Sequence, residues 1–180
     1  IISVASCTTN CLAPLAFVIH KNFKIIKGFM TTIHSYTTDQ RLLDNSHKDL
    51  RRARSAPNAI VPTSTGAAKS LKMIIPDLVN KIDGISIRVP NPNVSLVQLS
   101  FNSQTKVTKN TINNSLSKAS KTYLKKILGV EEKPLVSSDF NHDPRSSIID
   151  LGLTKVIGDN FGTVFAWYDN EWGFSNRMID

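Results

Sequence analysis

Two cysteines and four histidines in 180 residues leave little material for a disulfide framework or a zinc module. His20, His34, His47 and His142 show no paired ligand spacing, so no metal site is expected. No apolar run approaches the roughly 18 residues of a membrane span. No secretory leader, internal repeat or low-complexity tract is recognisable, and no membrane partner is expected. Cys7 and Cys11 are too few and too close for secreted-type bridging, which points to a reducing compartment and a cytoplasmic protein. Ile1 stands where a start methionine would, so the sequence is expected to begin inside a longer protein.

What is present is ordinary for a globular protein: 41% apolar and 20% charged residues, enough for one domain over residues 1–180. The net charge of +8 raises nucleic-acid binding, but the basic residues are scattered. Only "RRAR" at residues 51–54 clusters, and no aromatics interleave with it. A solvated basic surface is the simpler reading, and anionic small substrates remain open.

In "TTNCLAPLAFVIHKNF" the apolar residues at 11, 12, 15, 16, 18 and 19 form a helical stripe, placing Cys7 at a helix N-terminus. Pro14 conflicts with that helix. "IIKGFMTTIHSYTT" reads as a strand ending near His34, followed by a long irregular loop from about Thr38 to Pro62. A short helix over "TGAAKSLKMIIPDL" precedes two strands, "DGISIRV" and "VSLVQLSFN", and a polar amphipathic helix over "TKNTINNSLSKASKTYLKKIL". Strands are then expected at "PLVSS", "SSIIDLGL", "TKVIG" and "GTVFAWYD", with a helix beginning in "NEWGFSNRMID". The sum is an α+β fold, a mixed and largely antiparallel sheet with helices on one face.

Cys7 has three readings: small buried hydrophobe, redox partner of Cys11, or activated nucleophile. A helix N-terminus favours an anion there by roughly 0.3–1 kcal/mol, lowering the thiol pKa by only about one unit, so a second cation is needed. Cys11 lies inside the apolar stripe and reads as core, and the i, i+4 spacing disfavours a bridge to Cys7. His34 is either a satisfied structural histidine or the catalytic partner. Arg88, at the end of an apolar strand, needs a protein carboxylate or a bound phosphate, and "TSTG" at 63–66 offers hydroxyls and a helix N-terminus for an anion.

Proximity among these candidates is not readable from spacing. The strings "ASCTTNCLAPLA", "TTIHSYTTDQ", "DLRRARSA", "PTSTGAAK", "IRVPNPNVS", "SSDFNHDPRSS" and "WYDNEWGFSNR" occur in the order of the catalytic domain of phosphorylating glyceraldehyde-3-phosphate dehydrogenases of bacterial type, which the chain closely resembles. The resemblance implies a glycolytic oxidoreductase with Cys7 as nucleophile and His34 as activating base. It assigns Thr37 and Arg88 to the phosphate of glyceraldehyde 3-phosphate, and Ser6, Thr8, Thr65 and Gly66 to inorganic phosphate, with Arg51 a further contact. Asn170 would orient the NAD nicotinamide. Phe174 stands where many members have tyrosine. The irregular stretch would be the family's S-shaped loop at the core of a homotetramer. The family's Gly-rich Rossmann turn is absent, so NAD would be bound mainly by a preceding domain and the final helix would be cut short. These 180 residues alone would then turn over little or no substrate.

Three alternatives stand beside this reading. Erythrose-4-phosphate dehydrogenases share "DFNHDP". A non-catalytic interaction domain could use the basic surface. A cysteine hydrolase would lack an orienting third residue.

Overall fold

The computed structural model describes residues 3–180. Ser6 caps the first helix, α1 (Cys7–Phe23), its side chain accepting from Thr9 N–H, and Lys24 closes the helix in the left-handed region, its N–H donating to His20 C=O. The apolar stripe decides the packing: Cys11, Leu12, Leu15, Ala16, Val18 and Ile19 are all completely buried. That burial carries α1 straight through Pro14. The mixed sheet has the order β2-β3-β1-β4-β8-β6-β5, with β7 paired to β8. Its strands are β1 (Ile25–Ser35), β2 (Val61–Thr63), β3 (Ile82–Val89), β4 (Ser95–Ser103), β5 (Leu128–Glu131), β6 (Ser147–Asp150), β7 (Lys155–Ile157) and β8 (Phe161–Tyr168).

Most pairings are antiparallel; β1 with β3 and β5 with β6 are parallel. The helices α1, α2 (Ala67–Ile74) and α3 (Lys109–Lys121) cover one face, where alternate residues of β4 and β8 such as Val97, Leu99, Val164 and Ala166 are buried. Leu96, Gln98, Thr163 and Phe165, on the opposite face, are only half-buried, and Phe29 is half exposed. A last helix, α4 (Trp172–Ile179), follows β8. Among the described residues no helix is long and apolar enough to cross a membrane.

Three expectations are corrected. "PLVSS" is not a strand. Pro134 has no N–H for a ladder, Asp139 accepts from the Val136 N–H, and Ser137–Phe140 wind into a 3-10 turn, while the strand forms earlier at Leu128–Glu131. The α3 helix stops at Lys121 because the Thr122 hydroxyl turns back to Lys118 C=O and the chain leaves helical geometry there. The irregular stretch ends in β2, which tolerates Pro62 because it is the outermost strand.

Candidate active site

The N-terminus of α1 meets the C-terminal ends of β1, β3 and β8. Sheet register does the positioning: His34 on β1 lies beside Arg88 on β3, Thr32 beside Ser86, and Tyr168 on β8 beside Ser95 on β4. These side chains share the face that α1 covers. Ala5, just before the cap, sits at φ 58°, where a side chain costs about 1–2 kcal/mol, and this bend delivers Cys7 to the sheet end.

The Cys7 Sγ lies 3.5 Å from His34 Nε2. On the other side of the ring, Nδ1 is 2.7 Å from Ser35 C=O and 2.9 Å from Arg88 Nη1, which itself donates to Ser35 C=O at 2.9 Å. A carbonyl oxygen can only accept, and Ser35 C=O takes both Nδ1–H and Arg88 Nη1–H, so the ring proton is on Nδ1 and Nε2 faces the sulfur as an acceptor. Burial, joined by the Arg88 charge, holds His34 down to about 4. Burial pushes the Cys7 thiol up from its ordinary value, against the Thr8 hydroxyl, the Thr8 backbone N–H and Arg88, which pull it down; Glu171 adds to the rise. The helix N-terminus therefore does not lower this thiol pKa as the sequence led us to expect, because desolvation outweighs the dipole. The resting pair is thiol and imidazole. An anion paired with Arg88 would offset the positive charge that holds the ring down and make Nε2 a better proton acceptor for the thiol.

A cavity of about 510 Å³ opens over this pair, and Ser6, Cys7, Thr8, His34, Thr65, Gly66 and Arg88 all line it. Its hydroxyls are not equally free. Ser6 Oγ accepts from Thr9 N–H, Thr65 Oγ1 accepts from Ala67 N–H, and Thr8 Oγ1 is turned inward to Tyr168. Gly66 leaves open space where a Cβ would be, so the start of α2 can be approached closely. Ser86 Oγ and Arg88 Nε are buried and lack hydrogen-bond partners among the described residues, which leaves both available to a polar ligand. No cluster of three His, Cys, Asp or Glu side chains able to hold a metal occurs among the described residues.

A family profile described as "Glyceraldehyde 3-phosphate dehydrogenase, C-terminal domain" matches residues 6–170. The chain belongs to that family. Its relatives include the glyceraldehyde-3-phosphate dehydrogenase of Cereibacter sphaeroides, 53% identical over all of this chain and 54% of that protein. Glyceraldehyde-3-phosphate dehydrogenase 2 of Trichormus variabilis is 55% identical, again over the whole chain and 53% of that protein. The chloroplastic glyceraldehyde-3-phosphate dehydrogenase B of Pisum sativum is 56% identical over the whole chain and 40% of its own length. The chain spans about half the length of the bacterial relatives it matches.

The remaining residues singled out by resemblance to the glyceraldehyde-3-phosphate dehydrogenase family lie at different distances from the cavity. Thr37 borders a neighbouring cavity and is tied to the site by Arg88 Nη1 at 3.5 Å. Arg51 is exposed and the structure does not bring it to either cavity; its neighbour Arg52 is half-buried, paired with Asp39 at 3.1 Å and close enough for its charge to act on Arg88. Asn170 is buried, its Oδ1 accepting from Ser35 and Ser95 hydroxyls at 2.7 and 3.0 Å. Phe174 is half-buried in the first turn of α4. In the arginine cluster, Arg52 is paired with Asp39 and Asp49 and Arg54 with Asp44. Sequence reasoning missed Thr32, Ser35, Ser86, Ser95 and Tyr168. The period-2 alternation of "TTIHS" would have put Thr32 on the His34 face, but nothing local announces the register that adds the others.

Proposed function

We propose that this chain is the catalytic domain of a phosphorylating glyceraldehyde-3-phosphate dehydrogenase of glycolysis, acting on glyceraldehyde 3-phosphate, inorganic phosphate and NAD. The observation that carries it is the 3.5 Å approach of Cys7 Sγ to His34 Nε2 on the floor of a cavity that also holds Arg88. Arg88, with Thr37 beside it, receives the substrate phosphate. That contact offsets the Arg88 charge that lowers the His34 proton affinity, and His34 Nε2 takes the thiol proton. Cys7 sulfur then adds to the aldehyde carbon, and the carbonyl oxygen takes the proton back from His34 to give a thiohemiacetal. As the carbon gives up a hydride, His34 accepts the hydroxyl proton, leaving a thioester on Cys7. NAD, when bound, supplies the hydride acceptor. Inorganic phosphate, held by Ser6, Thr8, Thr65 and Gly66 at the start of α1 and α2, attacks the thioester carbonyl. The carbon–sulfur bond breaks, the Cys7 thiolate leaves, and the acyl phosphate 1,3-bisphosphoglycerate is released.

The chain has residues suited to the nicotinamide end of NAD. The Asn170 amide is fixed by two serines at its oxygen, while its nitrogen meets only Glu171 at 3.3 Å and so keeps a donor for a carboxamide. The Phe174 ring would border the same end. The rest of the cofactor belongs, on this reading, to a Rossmann domain outside these 180 residues, without which turnover is lost. Both cysteines are free thiols, as a reducing cytoplasm would keep them.

Against the erythrose-4-phosphate dehydrogenase alternative stand Thr37 beside Arg88 and the Thr65–Gly66 start of α2 on the cavity, since an enzyme that hydrolyses its thioester has little use for a site for free phosphate. The test is NADH formation by the full-length protein with each substrate in turn. We expect dependence on both glyceraldehyde 3-phosphate and inorganic phosphate, loss in Cys7→Ala, and a kcat lower by about 10²–10⁴ in His34→Asn. Phosphate-independent oxidation of erythrose 4-phosphate would transfer the assignment to the sister activity.

A further inference from the structure

Tyr168 is fully buried at the end of β8, and no step above uses it. Its hydroxyl lies 3.0 Å from Thr8 Oγ1 and 2.8 Å from Thr32 Oγ1. Its ring meets the His34 ring edge-on at 5.9 Å. The Thr8 hydroxyl reaches the Cys7 sulfur at 4.0 Å. Three hydroxyls therefore run in line from the middle of β1, through the end of β8, to the sulfur at the start of α1.

Each hydroxyl has a single proton to donate, which gives the line a direction. A thiolate can only accept. When Cys7 is ionised, Thr8 must point its proton at the sulfur, so the Thr8 oxygen accepts from Tyr168 and the Tyr168 oxygen accepts from Thr32. We propose that Tyr168 is a positioning residue that aims the Thr8 hydroxyl proton at the Cys7 sulfur, so that a buried hydroxyl relay stabilises the thiolate as it attacks and as it leaves. The proposal rests on Cys7 being the nucleophile.

Two further observations fit. Burial and the neighbouring Cys7 and Cys11 push the Tyr168 hydroxyl above its ordinary range, so it remains a donor wherever the thiolate exists. The relay can also reverse without heavy-atom movement, the neutral thiol donating to Thr8, so the site need not reorganise when Cys7 changes charge. With its one proton the Thr8 hydroxyl meets inorganic phosphate while Cys7 is held as the thioester, and turns to the sulfur as the thiolate leaves.

The titratable and charged groups around the sulfur are His34 from β1, Arg88 from β3, Glu171 before α4, Cys11 from α1 and Tyr168 itself. Tyr168→Phe alters none of the others and keeps the ring against His34. The experiment is the pH dependence of iodoacetamide alkylation of Cys7 in the full-length protein, read by mass spectrometry. In Tyr168→Phe, which acts on the sulfur only through Thr8, the midpoint should move up by less than the roughly one unit of a direct hydrogen bond to a charged group. Thr8→Val should move it in the same direction, Thr8→Ser should restore it, and the double variant Thr8→Val/Tyr168→Phe should go no further than Thr8→Val alone. A Tyr168→Phe midpoint that stays in place, or shifts that add in the double variant, overturns the relay and leaves the nucleophile reading standing. A Cys7 that is not alkylated at any pH in the unsubstituted protein overturns the nucleophile reading, and the relay with it.

Discussion

His34 is held between a sulfur and a guanidinium, and the arrangement has a cost that pH reveals. The folded chain keeps the ring neutral down to about 4 because burial and the Arg88 charge both oppose the proton. The unfolded chain takes that proton near 6.5. Above about 6.5 both states are neutral and the contribution to stability is complete. Between about 6.5 and 4 the unfolded state binds the proton and the folded state does not, so stability falls as the solution becomes more acid, by on the order of 3 kcal/mol in all, and levels off below. His34→Asn should flatten most of that slope in urea unfolding followed from pH 7 to pH 4.5. His20, also held down by burial, leaves a smaller residual slope. An unchanged slope in the variant would mean that His34 is not the group resisting protonation.

At the scale of elements, α1 was legible because a helical period and a cap both lie within one local stretch. Its stripe at 11, 12, 15, 16, 18 and 19 is the buried face, and Ser6 does cap it. Pro14 conflicts with helical geometry, and packing overrides the conflict. Replacing it should therefore stabilise the helix: Pro14→Ala restores a donor to Asn10 C=O and is expected to add about 1–2 kcal/mol, the roughly 3 kcal/mol interior penalty less the ring packing given up. Urea midpoints at constant slope are the measure, and a destabilised variant would show that the ring packing outweighs the missing bond. The elements that were misread depend on neighbours instead. Leu128–Glu131 is a strand because β6 lies parallel to it, and Val61–Thr63 because β3 offers an edge. The site shows the same division. Cys7 at a helix start and Thr32 with His34 on one face follow from local periods. The His34–Arg88 pairing follows only from a parallel register that joins segments 54 residues apart, which no local period encodes.

For the whole molecule, the feature left unexplained by one copy of the domain is its uncovered apolar surface. Leu42, Leu43 and Leu50 in the stretch between β1 and β2 are 62%, 77% and 83% exposed, while Arg52 and Arg54 beside them are paired with Asp39, Asp49 and Asp44. A loop that presents three leucines this far into solvent is built to be covered by something apolar. We propose that the homotetramer implied by the resemblance supplies the cover, with the uncovered face of the sheet, including Phe29 and Phe165, as a second contact. Introducing charge at the leucine tips should break the assembly without touching the core, since neither side chain is packed within the chain. Leu42→Asp/Leu43→Asp in the full-length protein is expected to reduce the mass in sedimentation velocity from a tetramer to a smaller species while thermal unfolding stays cooperative. Because the same loop leads from His34 and Thr37 toward Arg52, whose charge bears on Arg88, the dissociated variant should also bind glyceraldehyde 3-phosphate more weakly. A variant that remains tetrameric would place the interface on the sheet face alone and leave the leucines without a partner copy.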